Sequence, residues 1–316
     1  MKKTASFYSI LFLCFLAQHI QAQKASDSVY LFCYFKNNGA DGLHLAYSMD
    51  GYNWTSMFND SAILKPQISN DKLMRDPCII RGGDGNFHMV WTVSWADKGI
   101  GYASSPDLIH WSEQKYIPVM EDEPATLNAW APEITYDEDK RKYILYWASS
   151  IKDRFPQKDT SAEGKKYNHR IYYTATKNFK KFDKTKVLYD PGFSVIDATI
   201  KQDGDQYVMF LKNETKAPAE KNLRVAFSKD IDGPYSAAGP SITGKNWAEG
   251  PTALKINGRW IVYFDKYTEH KYGAVQSTDL VHWEDVSNRV YFPKGTRHGT
   301  AFAISKKEFD KLNAAQ

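Results

Sequence analysis

Apolar and polar residues alternate along five short segments of the chain, which is the pattern of strands buried on one face. These segments are LHLAYS, GIGYAS, RIYYTAT, LRVAFS and YGAVQS. Each runs into a Ser or Thr, a variable residue, an Asp or Asn, and a nearby aromatic residue. Short Ser and Asp side chains bond the backbone of a turn, and the aromatic ring can pack between layers. Five copies predict five equivalent structural units.

A hairpin precedes four of these segments. Turn sequences at 83–86, 137–140, 202–205 and 256–259 lead into the apolar, aromatic strands FHMVWT, KYILYWAS, QYVMFLK and RWIVYFD. Turn residues between two apolar runs are the signature of antiparallel pairing. We therefore predict that a unit contains strand A, a turn, strand B, strand C, the Ser-x-Asp turn and a short strand D.

A second repeat marks the start of strand A. It comprises the segments RDPCII, WAPEIT, VIDATI, AEGPTAL and RHGTAF. Aligned on one another, they place five residues in one shared position: Asp76, Ala131, Asp197, Glu249 and His298. Equivalent positions of equivalent strands should converge on one axis. The alignment predicts that three carboxylates and an imidazole face each other.

The two ends of the chain are predicted to complete one unit jointly. The last of these segments, RHGTAF, has almost no chain after it, whereas YLFCYF and LHLAYS near the amino terminus read as strands B and C without a strand A. Pairing them closes a ring and removes exposed sheet edges. We predict an all-β, five-bladed β-propeller over residues 23–316. A β-sandwich is the alternative fold, but it gives no reason for five equivalent positions. The segment 151–168 of the second blade is longer than its counterparts, and we expect it to overhang the pocket or drape the rim.

Residues 1–22 are predicted to be a cleaved signal peptide. Lys2 and Lys3 precede an apolar stretch that is too short to span a bilayer, and no later segment approaches the required length. We therefore expect a secreted or periplasmic protein without a membrane span. Cys33 and Cys78 could pair, but two sparse cysteines more often remain buried thiols.

The charge of the chain argues against nucleic acid as a partner. Its formal net charge is +4, and its Lys and Arg residues are scattered rather than gathered into a basic stripe. The candidate chemistry lies instead in the converging carboxylates. Cleavage of a glycosidic bond needs one carboxyl group to protonate the leaving oxygen and another to activate water or attack directly. A third acid can position the proton donor and raise its pKa.

The motifs together resemble glycoside hydrolase family 43. They are an Asp-Pro segment, an Ile-Asp segment and a Glu-Gly-Pro segment on successive inner strands, with Trp-Ala-Pro in the second blade and a late Arg-His-Gly. The resemblance implies that Asp76 is the general base, Asp197 the modulator and Glu249 the general acid, with inversion at the anomeric carbon. It implies no required cofactor. It places His298 at the propeller centre, where some members bind a calcium or sodium ion, so His298 is a candidate metal ligand.

The resemblance also implies a substrate class. A terminal α-L-arabinofuranosyl unit of plant cell-wall polysaccharide is favoured, and a β-xyloside, a β-galactofuranoside or a galactan fits the same chemistry. A non-catalytic carbohydrate-binding propeller is the alternative from another class, although it does not need three acids. We expect substrate contacts from side chains beside the shared position or at strand ends: Trp130, Trp247, Arg224, Arg297 and His298. Arg75 and the segment 212–214 are further candidates, and Glu133 is expected to have a structural role.

Overall fold

The computed structural model describes residues 28–315, which form five antiparallel sheets arranged as the blades of a propeller. The predicted signal peptide lies outside the described residues. Blade I contains β4 (Arg75–Arg81), β5 (Phe87–Thr92), β6 (Ile100–Ser105) and β7 (Lys115–Ile117). Blade II contains β8 (Trp130–Asp137), β9 (Lys142–Ser149), β10 (Arg170–Thr176) and β11 (Lys186–Tyr189). The predicted order of strands A to D is confirmed in both blades.

The next two blades repeat this order. Blade III contains β12 (Val195–Asp203), β13 (Gln206–Asn213) and β14 (Leu223–Ser228). Blade IV contains β15 (Glu249–Ile256), β16 (Arg259–Lys266), β17 (Lys271–Ser277) and β18 (Glu284–Asp285). Blade III differs in having three strands among the described residues.

The fifth blade joins the two ends of the chain. It contains β1 (Ser28–Tyr34), β2 (His44–Ser48) and β3 (Thr55–Ser56), and β19 (Thr300–Ser305) is its inner strand. Strands β1 and β19 pair in antiparallel register from Ser28 opposite Ser305 to Cys33 opposite Thr300. This closing blade confirms the predicted ring closure, and with it the five-bladed propeller.

The apolar core lies in five layers, one between each pair of neighbouring blades. Aromatic side chains fill these layers, as predicted: Trp91 and Trp147 are fully buried, and Trp54 is almost so. The repeated turn has the predicted bonds. Ser48 Oγ accepts from the Gly51 amide at 2.9 Å, and Asp50 Oδ1 accepts from the Asn53 amide at 2.8 Å. These layers fix the blades around the central axis.

Three short helices complete the fold of residues 28–315. A 3-10 helix spans Phe58–Asp60, α1 spans Ala162–Lys166 within the long segment of blade II, and α2 spans Lys306–Asn313. Helix α2 begins at Ser305 with a capping box formed with Glu308. Among the described residues, we find no helix with the length and apolar character needed to cross a membrane.

Buried polar side chains on the inner strands form hydrogen bonds with one another. Glu133 is buried, and it accepts hydrogen bonds from the hydroxyls of Thr199 at 3.0 Å and Thr300 at 2.9 Å, which lie on two other blades. This contact agrees with the structural role expected for Glu133. Cys33 and Cys78 are free, buried thiols, as expected, and Cys33 Sγ donates to the Pro77 carbonyl at 3.1 Å.

Candidate active site

The inner strands of blades I to IV share a β-bulge near their first residues. The pairing register shifts there in each blade, and the bulged residue has a positive φ: 51° at Asp76, 45° at Ala131, 52° at Asp197 and 58° at Gly250. A bulge bends the strand and turns a side chain away from its regular direction. Asp is among the residues that tolerate this backbone region best, and glycine adopts it freely.

This geometry corrects the predicted alignment. Gly250, not Glu249, occupies the bulged position of blade IV, and Glu249 pairs with Asp265 one residue earlier. Glu249 therefore corresponds to Arg75 of blade I and Trp130 of blade II, which pair with their neighbouring strands in the same way. The sequence contained the correct signal, since Gly-Pro aligns with Asp-Pro and Ala-Pro.

A pocket of about 220 Å³ opens where the inner strands converge. It collects six of the predicted site residues and eight other residues. The predicted ones are Asp76, Trp130, Asp197, Glu249, Arg297 and His298. The others are Arg75, Thr92, Trp95, Ala131, Glu163, Ile196, Lys212 and Glu214. The one-residue offset of Glu249 thus does not remove it from the site.

Asp76 is ion-paired with an imidazolium. His298 Nδ1 lies 3.4 Å from Asp76 Oδ1, and the hydroxyl of Thr92 donates to Asp76 Oδ2 at 2.8 Å. Burial opposes ionisation of Asp76, but His298, Arg75 and Thr92 outweigh it and lower the pKa of Asp76 below its ordinary value. Burial would lower the pKa of His298, but Asp76 and Asp197 raise it to about 9. Near neutral pH the pair is carboxylate and imidazolium.

Asp197 is a buried carboxyl group with a raised pKa. Burial is the main cause that raises the pKa of Asp197 to about 6, and the nearby charges of Glu249 and Asp76 add to that effect. His298 and Lys212 act in the opposite direction. Asp197 Oδ2 also accepts from the Gly250 amide at 2.9 Å. The two strands that carry Asp197 and Glu249 are thereby joined at the pocket.

Glu249 lies between two cations. Lys212 Nζ donates to Glu249 Oε2 at 3.0 Å, and Arg297 Nη2 lies 3.4 Å from Glu249 Oε1. Arg297 also donates from Nε to Asp265 Oδ2 at 2.6 Å. Burial raises the pKa of Asp265 to about 6, although Arg297 opposes this. Glu249 is therefore held at both carboxylate oxygens, with about a quarter of its side chain exposed to the pocket.

The three carboxyl groups consequently have different charge environments. Asp76 is stabilised as an anion, Asp197 is buried beside other acids, and Glu249 is held by two cations. Such separation of neighbouring carboxyl groups is the arrangement that lets one accept a proton while another donates one. The site can therefore support acid–base chemistry on a bound sugar.

Aromatic side chains form one wall of the pocket mouth. The Trp95 ring is half exposed, and it meets the Trp130 ring edge-on at 5.6 Å. The guanidinium of Arg75 lies over the Trp95 ring, 4.2 Å from its centroid, and the Trp95 indole N–H donates to Asn38 Oδ1 at 3.1 Å. A rigid, partly exposed indole is a suitable surface for the apolar face of a sugar.

The long segment of blade II, residues 151–168, was predicted either to overhang the pocket or to drape the rim. In the structure it reaches the pocket. Glu163 of α1 lines the pocket and is ion-paired with Lys216. Asp159 ties the segment to the loop of blade III, because its carboxylate accepts from the amides of Lys216 at 2.5 Å and Ala217 at 3.2 Å. The segment therefore forms a fixed wall between blades II and III.

Two predicted substrate contacts lie outside this pocket. Arg224 donates to Glu220 at 2.8 Å and to Asn222 at 3.1 Å, which occupies its guanidinium with local partners. The Trp247 ring is 43% exposed and packs near the Tyr267 ring at 6.2 Å. The reason is positional, since Trp247 precedes the bulge by three residues and Arg224 lies on β14, the outer strand of blade III.

Sequence reasoning missed Thr92 and Asp265, and it named Lys212 and Glu214 only as further candidates. Thr92, Lys212 and Asp265 each pair with the residue before the bulge of their own blade. The end of strand B is therefore a repeated source of site residues. Aligning the ends of FHMVWT, QYVMFLK and RWIVYFD against the A strands would have found all three.

The assignment of His298 as a metal ligand stays a prediction. His298 Nδ1 lies 3.4 Å from Asp76 Oδ1. Within residues 28–315, no group of three or more His, Cys, Asp or Glu residues is arranged to hold a metal ion. The calcium or sodium ion at the propeller centre remains a prediction, and no step of the chemistry is derived from it.

Comparison with known families agrees with the fold and the motifs. The family model described as "Probable glycosyl hydrolase domain", which is related to glycoside hydrolase family 43, matches residues 27–310. The chain belongs to this family of family 43-related glycoside hydrolases. The match covers all five blades and the whole pocket of this family member.

Individual relatives are distant. The chain is 23% identical over 244 residues to an α-L-arabinofuranosidase of Bifidobacterium longum, with 66% of this chain and 23% of that protein covered. It thus spans less than a quarter of that curated relative. An α-L-arabinofuranosidase from Lactobacillus brevis has a TM-score of 0.52 at 20% identity, covering 67% of this chain and 72% of its own. An exo-β-1,3-galactanase from Phanerochaete chrysosporium has a TM-score of 0.53 at 12% identity, covering 71% and 53%. These structures share the fold.

Proposed function

We propose that the protein is an inverting glycoside hydrolase that removes a terminal sugar, an α-L-arabinofuranosyl unit, from plant cell-wall polysaccharide. Asp76 is the general base, Glu249 the general acid and Asp197 the modulator. The observation that carries the proposal is the meeting of these three carboxyl groups, each in a different charge environment, in one pocket of a family 43-related propeller.

The proposed reaction is a single displacement. The proton of Glu249 passes to the glycosidic oxygen while the bond from that oxygen to the anomeric carbon breaks. A water molecule forms the new bond to the anomeric carbon from the opposite face, and its proton passes to Asp76. Asp76 suits the second role because its lowered pKa keeps it ionised and able to orient water near neutral pH.

Asp197 and His298 support the two reacting groups. Asp197 accepts from the Gly250 amide, next to Glu249, so it fixes the backbone that carries the acid. His298 is paired with Asp76 and keeps that carboxylate in place. Neither residue needs to exchange a proton with the substrate in this scheme, and both act by position and charge.

The shape of the pocket supports removal of a terminal unit. Its volume of about 220 Å³ lies below the roughly 300–1,000 Å³ typical of sites for drug-sized ligands. The blade II segment walls one side through Glu163 and Lys216. A single ring fits such a pocket better than the middle of a long chain. The names of the Bifidobacterium and Lactobacillus relatives support arabinofuranose, and a β-xyloside, a β-galactofuranoside or a galactan is the alternative.

The cellular location belongs to the same proposal. Lys2, Lys3 and the apolar stretch that follows support an exported enzyme, secreted or periplasmic. Its partner there would be an arabinose- or xylose-containing polysaccharide or its fragments. Amino-terminal sequencing of the protein from its native host, with Gln23 as the expected first residue, tests the export signal.

The activity is tested with a panel of nitrophenyl glycosides: α-L-arabinofuranoside, β-D-xylopyranoside, β-D-galactofuranoside and β-D-galactopyranoside. Glu249→Gln keeps the shape of the side chain but cannot supply the proton. On an unactivated alkyl glycoside of the preferred sugar, assayed beside the panel, we expect kcat to fall by about 10²–10⁴. The matched control is Glu138→Gln, an exposed residue in a hairpin turn, which should leave kcat unchanged.

Two further measurements distinguish the proposed inverting hydrolase from a retaining hydrolase and from a non-catalytic propeller. Proton NMR of the first-formed sugar should show the anomer opposite to that of the substrate, and retention would contradict the single displacement. Sugar binding without turnover, unchanged in Glu249→Gln, would support the non-catalytic carbohydrate-binding propeller instead. Hydrolysis of a glycoside other than the arabinofuranoside would correct the sugar and leave the mechanism in place.

A further inference from the structure

A line of alternating charges runs through the pocket wall of blades III and IV. Its six members, in order, are Asp265, Arg297, Glu249, Lys212, Glu214 and Lys221. Of these six, Glu249 is the one assigned above to the base, acid or modulator. Lys212 is the central member, and its side chain is 2% exposed.

Lys212 touches two carboxylates at once. Its Nζ lies 3.0 Å from Glu249 Oε2 and 2.7 Å from Glu214 Oε2. Burial opposes the charge on Lys212, but Glu249, Glu214 and Asp197 together raise its pKa well above its ordinary value. The ring of Tyr267 lies 4.8 Å from the same ammonium. Lys221 and His169 also lie within range of its charge, and burial together with that charge lowers the pKa of both.

Glu214 is itself anchored as an anion. Lys221 pairs with Glu214 Oε1 and also donates to the Glu214 carbonyl at 3.0 Å. Burial would raise the pKa of Glu214, but Lys212 and Lys221 lower it below its ordinary value. Glu214 therefore provides a permanent negative charge on the side of Lys212 that faces away from Glu249.

A buried lysine without a counter-ion normally loses its proton. If Glu249 were the only partner of Lys212, protonation of Glu249 would leave the ammonium unpaired in the pocket wall. With Glu214 present, the ammonium keeps one carboxylate whether Glu249 is neutral or charged. Lys212 can then stay in place through the whole reaction.

We infer that Lys212, held by Glu214, is a positioning residue for the acid, orienting Glu249 and stabilising the carboxylate that forms when Glu249 gives its proton to the leaving oxygen. This role rests on the proposed function. In the rate-determining step the O–H bond of Glu249 breaks and its electrons remain on the carboxylate. The attraction between the Lys212 ammonium and Glu249 grows as negative charge develops on the Glu249 carboxylate. An interaction that is stronger in the transition state than in the ground state accelerates the reaction.

Substrates with different leaving groups separate this role from a structural one. An alkyl glycoside needs full protonation of the leaving oxygen, whereas a dinitrophenyl glycoside needs almost none. In Lys212→Met we expect kcat for the alkyl glycoside to fall by on the order of 10²-fold, and kcat for the dinitrophenyl glycoside by less than about 10-fold, with KM nearly unchanged. Equal losses on the two substrates would overturn the role.

Two other variants complete the kinetic experiment. Lys266→Met removes a buried lysine of strand β16 in blade IV. Its partner Glu269 lies outside the pocket, so kcat should be unchanged for both substrates. Glu214→Gln keeps Lys212 but removes its second partner, so Glu249 should remain ionised to lower pH. The alkyl glycoside rate should then fall at neutral pH and recover toward acid pH. A profile like that of the unaltered enzyme would contradict the inference.

A measurement independent of turnover tests the electrostatic part. Nitrogen-15 NMR of the Lys212 ammonium is compared in the unaltered protein, in Glu249→Gln, which mimics the protonated acid, and in the double variant with Glu214→Gln. We expect a charged Lys212 at about pH 9 in Glu249→Gln and a neutral one in the double variant. A neutral Lys212 in Glu249→Gln would overturn the inference. Absence of any hydrolysis by the unaltered protein would instead refute the proposed function.

Discussion

Replacement of His298 by Gln should make the stability of the protein respond differently to pH. In the folded state the pKa of His298 is raised to about 9 from its ordinary value of 6.5, because Asp76 and Asp197 outweigh the effect of burial. Gln keeps a hydrogen-bond donor near Asp76 but carries no charge at any pH. The comparison therefore isolates the protonation of one imidazole.

The sign and the magnitude follow from linkage. A raised histidine pKa stabilises the folded state fully below 6.5, and this stabilisation is lost as the pH rises through about 9. At 1.36 kcal/mol per pKa unit, the amount lost is about 3 kcal/mol. The side chain is 8% exposed, so solvent screening reduces it little. The free energy of unfolding of the unaltered protein, relative to that of His298→Gln, should thus fall by about 3 kcal/mol as the pH rises from 6.5 through about 9.

Urea unfolding of both proteins at about pH 6, 7.5 and 9.5 measures this difference. His110→Gln is the control, since His110 is an exposed histidine in an outer turn, and its effect should be small at every pH. A difference in unfolding free energy between His298→Gln and the unaltered protein that stays constant from the acid to the alkaline end would refute the reasoning. It would mean that His298 contributes by packing and not by charge.

Three other substitutions give further expected outcomes. Thr92→Val removes the hydroxyl that donates to Asp76, and it should cost about 1–3 kcal/mol in urea unfolding while also lowering kcat. Gly250→Ala places a methyl group 2.4 Å from the His298 ring at a φ of +58°, so thermal unfolding should show a loss of more than about 1–3 kcal/mol. Arg224→Ala should keep kcat and KM within about twofold, because the residue lies outside the pocket; a large rise in KM would restore it as a substrate contact.

The architecture could be read from the sequence because each blade repeats two local signals. The alternating strands and the Ser-x-Asp turns are local features, and five copies of them favoured a closed ring over a β-sandwich. The shared inner position was also recognisable, because Asp76 and Asp197 lie at the same bulge. The incomplete set of strands near the amino terminus indicated that β19 would join β1.

The site was harder to predict where it depends on geometry between strands. A β-bulge adds one residue to one strand, so an alignment that matches the acids and not the prolines puts Glu249 at the bulged position in place of Gly250. Lys212 and Asp265 enter the site only because their strands pair with β12 and β15 at that point. Trp247 was expected beside the sugar from its closeness in sequence to Glu249, but it does not line the pocket.

The closure of the ring by its last strand has a consequence for biosynthesis. Arg297 and His298 immediately precede β19, whose partner β1 is made first. During translation the pocket can contain Asp76, Asp197 and Glu249 for the time needed to synthesise some fifty further residues, yet lack Arg297 and His298, two of the cations that balance them. A ribosome-bound chain should thus be inactive and should carry unbalanced negative charge in its pocket. The pairing of β19 with β1 then brings in Arg297 and His298 and closes the ring in one step.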